Sequence, residues 1–111
     1  MMTLRLIPGG RRSVRLQPVT LEGRLLKHAL TGVQLRLGWA EGRCLAEAIH
    51  VALSQARPVQ IGSYGWVVRR SRCRVEISGP RFPDVSLTMG QAATIGRALA
   101  TMPRRVMLEV A

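Results

Sequence analysis

Tyr64-Gly-Trp-Val-Val-Arg-Arg-Ser-Arg-Cys-Arg-Val-Glu-Ile77 decides how this chain folds. Side chains alternate along a strand, so a hairpin folded about Arg70-Ser71 places Trp66, Val68, Cys73 and Val75 on one face. Arg69, Arg72 and Arg74 then fall on the other. One face can join a core. The other gathers guanidinium groups that need screening.

Outward from this hairpin, 111 residues bound the chain to a single expected domain with a modest core. A hydrophobic fraction of 47% argues against intrinsic disorder. Trp39, Trp66, Tyr64 and Phe82 are the whole aromatic complement, so the core must come from Leu, Val, Ile, Ala and Met. The net charge of +11 is the other bound. Sixteen of the seventeen basic residues are arginine, Lys27 being the exception. A GC-rich genome accounts for most of the arginine-for-lysine choice, but not for the scarcity of acids. Such a charge repels itself, and a polyanionic partner relieves it.

The N-terminal stretch Met1–Gly10 lacks the apolar run of a signal peptide, and nothing approaches a membrane-spanning segment. A cytoplasmic protein without membrane association is expected. Cys44 and Cys73 make no C-x-x-C pair. Two buried free thiols in a reducing compartment are expected, a disulfide being the alternative.

In chain order, Thr3–Ile7 and Ser13–Gln17 alternate around Pro8-Gly9-Gly10 and read as a hairpin. Val19–Leu26 reads as a strand with Val19, Leu21, Gly23 and Leu25 inward, although a helix capped by Thr20 also fits. Lys27–Gly32 reads as a loop and Val33–Gly38 as a strand. Leu45, Ala48, Ile49, Ala52 and Leu53 repeat at helical spacing, which predicts a helix over about 40–55, ended by Arg57-Pro58. Val59–Ile61 is extended, Gly62–Gly65 a turn, and Gly79-Pro80 with Pro83-Asp84 brackets a loop carrying Arg81 and Phe82. Val85–Leu87 is a short strand. Thr88 caps a second helix to about Met102, and Arg104–Val110 closes the chain as a strand.

The expected class is α+β: antiparallel sheet structure with two helices packed on one side. Val33-x-Leu35-x-Leu37-Gly38 before the first helix matches Val85-x-Leu87-x-Met89-Gly90 before the second. This suggests a tandem strands-then-helix repeat divided near residue 57, with chance matching of common residues as the alternative reading. In element order the layout is similar to the Whirly-type fold, which repeats a four-strand-plus-helix unit. That resemblance implies binding of single-stranded nucleic acid. The alternative architecture is a ferredoxin-like βαββαβ core over 33–111, with the N-terminal hairpin added.

The two expected helices together carry no net charge, so the excess lies on strands and loops. Arg5, Arg15, Arg24, Arg36, Arg69, Arg72 and Arg74 take outward strand positions, with Arg70 and Arg81 beside them. An open arginine-rich sheet face is a footprint for a phosphate backbone; the bland reading is a scatter of solvated arginines. Tyr64 and Phe82, beside turns, are candidate stacking platforms, whereas Trp66 is in phase with the core. Single-stranded DNA or RNA is therefore the expected partner. An acidic protein surface is the alternative, and open strand edges at Thr3–Ile7 or Arg105–Val110 would allow self-association.

Catalytic chemistry is not expected. His28 and His50 are the only neutral-pH proton carriers, His50 shares a helix side with Glu47, and Cys44 and His50 should face different ways. No phosphate loop, dinucleotide fingerprint or metal-ligand spacing is present, so neither cofactor nor metal is expected.

Overall fold

The computed structural model describes residues 17–102. The N-terminal hairpin and the closing strand at Arg104–Val110 fall almost wholly outside these residues, as do the edges at Thr3–Ile7 and Arg105–Val110.

The class is α+β. Strands β1 (Val19–Glu22), β2 (Leu25–His28) and β3 (Gln34–Arg36) form a three-stranded antiparallel sheet and lead into helix α1 (Trp39–Ser54). Strands β4 (Val59–Ser63), β5 (Trp66–Arg70), β6 (Arg74–Gly79) and β7 (Phe82–Thr88) form a four-stranded antiparallel sheet and lead into helix α2 (Met89–Ala100). Strands-then-helix order thus recurs in both halves. The ferredoxin-like alternative is excluded, because β3 belongs to a different sheet from the four consecutive strands β4–β7.

Turn chemistry explains the strand breaks. The single strand expected over Val19–Leu26 is a hairpin instead: Gly23 takes φ 62°, and Glu22 pairs with Leu25 across a two-residue turn. Leu21 then opposes Leu26, and the core-facing residues become Val19, Leu26 and His28. Lys27 and His28, expected in a loop, complete β2. The segment around Arg81 is likewise a tight turn, since Gly79 pairs with Phe82 around Pro80-Arg81.

Both helices follow their periodicity. Leu45, Ala48, Ile49 and Ala52 of α1 are buried, as are Ala92, Ile95 and Leu99 of α2. Thr88 Oγ1 accepts from Gln91 N at 3.1 Å while Gln91 Oε1 accepts from Thr88 N at 2.9 Å, a reciprocal cap. The helices run antiparallel in close contact: Gly42 lies under Met102, and Gly96 lies against Ile49. A methyl group on Gly42 would sit 2.4 Å from Met102 Cε.

One core joins all the layers. Leu26 of β2, Leu45 of α1, Trp66 and Val68 of β5, Leu87 of β7 and Leu99 of α2 belong to it. Trp66 is its largest member, 1% exposed. Its ring covers Gly79, where an added Cβ would lie 2.2 Å from Trp66 Cε3. Its Nε1 donates to Glu41 Oε2 at 2.7 Å, tying the second sheet to the first turn of α1. Glu41 Oε1 accepts in turn from Gly38 N at 3.2 Å, holding the start of that helix.

Gly79→Ala should therefore destabilise the protein by about 2–3 kcal/mol, the upper range of overpacking penalties. Gly90→Ala in the first turn of α2, where nothing lies within 4 Å of the new methyl, should stabilise it by about 0.5–1 kcal/mol. Urea unfolding midpoints of both variants check this opposition of sign.

Candidate nucleic-acid interface

Register sets the arginine geometry. Arg69 pairs with Glu76 and Arg70 with Val75, so β5 and β6 fold about Arg72-Cys73, two residues beyond the expected turn. Ser71 N donates to Arg74 O at 2.9 Å and closes this turn. The shifted register brings Gly79 beneath Trp66, the one residue type that leaves room for the indole.

This shift corrects several expectations. Cys73 is exposed at the turn rather than buried opposite Val68, and both cysteines are free. Arg72 sits at the exposed tip rather than on a strand face. Arg70 lies on the same side as Trp66 and Val68, half-buried at the rim of the core, and its Nη1 donates to the Gln55 carbonyl. Arg69 and Arg74 do face outward, as expected. Phe82, expected as an exposed platform, is buried, with its ring centroid 6.0 Å from Trp66 and 5.8 Å from His28. Tyr64 is exposed.

The outward surface of the four-stranded sheet does not carry a uniform arginine face. Arg69 and Arg74 share it with Glu76 and Asp84. Arg69 Nη1 donates to Glu76 Oε1 at 3.1 Å, and its Nε donates to Gln60 Oε1 at 3.3 Å. Arg74 donates through Nε to Ser86 Oγ at 2.7 Å and through Nη2 to Ser86 O at 3.0 Å. An exposed ion pair of this kind contributes about 0–1 kcal/mol, so Arg69 is held without being locked.

Positive charge concentrates instead at one end of this sheet. Val59 opens β4 opposite Arg70, the last residue of β5, so Arg57, two residues earlier, joins that end. Arg70, the tip residue Arg72, and Arg74, which pairs with Thr88, complete the group. Arg57 and Arg72 are exposed and have no hydrogen-bond or ion-pair partner among the described residues. Helix α2 begins beside Arg74, and the positive end of its dipole adds the same sign. Glu76, the nearest acid along β6, is already engaged by Arg69. Arg57 was absent from the sequence-derived site. Its only signal was the Arg57-Pro58 helix stop, which could not reveal that β4 returns beside Arg70.

The remaining candidates lie apart. Arg24 belongs to the β1–β2 turn, where its Nε donates to Leu37 O at 3.1 Å and its carbonyl accepts from Leu37 N at 2.8 Å. It ties that turn to the end of β3. Arg36 faces outward on the same three-stranded sheet, near the Lys27–Glu22 pair at 2.8 Å. Arg81 is exposed on the β6–β7 turn, away from the arginine end. Arg5 and Arg15 lie outside the described residues.

A concavity of about 560 Å³ lies between the helices, lined by Arg43, Cys44, Glu47, His50, Ala93 and Arg97 among others. Cys44 and His50, expected to face different ways, both border it. Arg43 stacks over the Trp39 ring at 5.2 Å. His28 is a packing residue: buried, edge-on to Phe82, its Nδ1 accepting from Thr31 N at 3.2 Å. Among the described residues no group of three or more His, Cys, Asp or Glu side chains could hold a metal ion, and no helix is long and apolar enough to cross a membrane.

Comparison with known proteins finds no matching family model, curated protein or solved structure.

The corrected hairpin predicts two kinetic classes of thiol. Cys73 should react with a disulfide reagent in the native state at a rate near that of a free thiol, whereas Cys44 should react at least several-fold more slowly. Stopped-flow labelling of the Cys44→Ala and Cys73→Ala variants separates the two.

Proposed function

We propose that the protein binds the phosphate backbone of single-stranded DNA or RNA through the arginine end of its four-stranded sheet, without catalysing a reaction. One observation supports this reading: strand register places Arg57, Arg70, Arg72 and Arg74 at the same end of the sheet, while Glu76 is occupied by Arg69. Guanidinium groups present a planar fork that matches phosphate oxygens. Exposed and unpaired, Arg57 and Arg72 can turn to a backbone without breaking an internal contact. Between residues 17 and 102 there are eleven basic residues and five acids, so the long-range field also favours a polyanion.

The helix-pair groove favours a second reading, an adaptor that takes an acidic protein segment. Its walls are largely apolar side chains, and Arg43 and Arg97 border it. The two readings separate experimentally, since a protein complex survives nuclease and high salt whereas phosphate contacts do not.

Anisotropy titrations with single- and double-stranded oligonucleotides at two or more salt concentrations test the first reading. Affinity should fall linearly on a log–log plot, at about 0.7 per phosphate neutralised on a single strand. Replacing Arg57, Arg72 and Arg74 together with alanine should reduce that slope by about 2 and weaken binding across all sequences. Absence of binding at low salt would reject the proposal.

A further inference from the structure

At the end of the four-stranded sheet opposite the arginines, two neighbouring turns carry side chains that their backbone does not favour. Tyr64 adopts φ 53° and Arg81 φ 60°. Bulky residues are strained at positive φ, where glycine, asparagine or aspartate fits readily. The β4–β5 turn is Tyr64-Gly65, both at positive φ, and the β6–β7 turn is Pro80-Arg81. They are neighbours: a methyl group added to Gly65 would lie 3.6 Å from Pro80 Cγ.

Neither side chain makes a polar contact with the described fold. Tyr64 is 60% exposed, the most exposed aromatic among the described residues. Arg81 is exposed too, and neither has a hydrogen-bond or ion-pair partner among the described residues. Two strained positions on adjoining turns thus hold a free aromatic ring and a free guanidinium. Strain that the folded chain does not recover points to a ligand.

Resting on the nucleic-acid reading above, we propose that Tyr64 and Arg81 form a base-stacking contact for a single strand whose phosphates are held at the arginine end. The two ends are separated by β5, about 20 Å at ~3.3 Å per residue from Tyr64 to Arg70. Between them, the outward positions of β4 and β5 are Gln60, Gly62, Val67 and Arg69, with no acid among them. Asp84 lies on β7, at the far side of the sheet, and Glu76 on β6, opposite Arg69, is held by that arginine at 3.1 Å. A strand can follow β5 from Arg72 past Arg69 and place a base on Tyr64, with Arg81 beside it as the cation. A stacked base must be unpaired, so this contact selects single strands over duplex.

Turn-compatible substitutions test this without damaging the fold. Tyr64→Asn suits the turn and should leave thermal stability equal to or above that of the parent. It should weaken binding of a roughly 12-nucleotide single strand about five- to a hundredfold, the range for loss of one base stack. Tyr64→Phe keeps the ring and should bind as the parent does, and duplex affinity should be unchanged by either substitution. Arg81→Gly should lower single-strand affinity while preserving stability. If Tyr64→Asn binds single strands normally while the Arg57/Arg72/Arg74 alanine variant does not, the stacking contact is overturned and the phosphate reading stands. If the parent protein binds neither single strands nor duplex, both fall. If Tyr64→Asn instead abolishes a nuclease-resistant complex with a protein, the two turns are a protein contact and the stacking proposal is overturned.

Discussion

The indole of Trp66 constrains everything around it. It is the largest buried side chain among the described residues, its flat face needs a residue without a side chain beneath it, and its N–H needs an acceptor. Gly79 meets the first need, Glu41 the second. Gly79 fixes how β5 and β6 align, and Glu41 fixes where α1 begins relative to the second sheet. One side chain thereby couples hairpin register to the docking of the two halves, and removing its acceptor would leave a buried donor unpaired.

That coupling also places the charge. With Gly79 under the indole, the β5–β6 turn must fall at Arg72-Cys73, which projects Arg72 from the end of the sheet and swings Arg70 to the core side. Because β4 starts beside the end of β5, Arg57 arrives at the same place. The outward sheet surface is left nearly balanced, two arginines against two acids, and the electropositive region becomes an end of the sheet rather than a face. An end is narrow. On the nucleic-acid proposal, such an end would take a flexible backbone passing over it rather than a rigid surface lying flat on it.

The opposite end differs in kind: few charges, one exposed ring, and backbone strain at two neighbouring turns. An arginine end and an aromatic end are joined by an uncharged strip, Gln60, Gly62 and Val67, on the side of the sheet that the described helices leave open. Apart from the N-terminus of α2 beside Arg74, the helices lie against the core on the other side, with a groove of their own between them.

Much of this fold was legible in the amino-acid order. Helix periodicity at Leu45–Leu53 and Ile95–Met102, the Thr88 cap, the Pro58 stop and the strands-then-helix order need only local chemistry, because each depends on residues a few positions apart. The Gly23 hairpin was not read, because a short alternating run scans alike as one strand or as two strands joined by a tight turn. Cys73 was misplaced because alternation gives the face of each residue only once the turn is known, and Phe82 because Pro83-Asp84 reads as loop, whereas the strand already begins at Phe82, paired with Gly79. The choice between Arg70-Ser71 and Arg72-Cys73 rests on the fit of Trp66 over Gly79, thirteen positions away. The sequence by itself thus determined which segments are helices, which are strands, and that the surplus charge avoids the helices. Only tertiary packing decided the register of the central hairpin, the division of the strands into two sheets and the placing of Arg57 at the same sheet end as Arg70, Arg72 and Arg74, because those depend on contacts between surfaces that are distant along the chain.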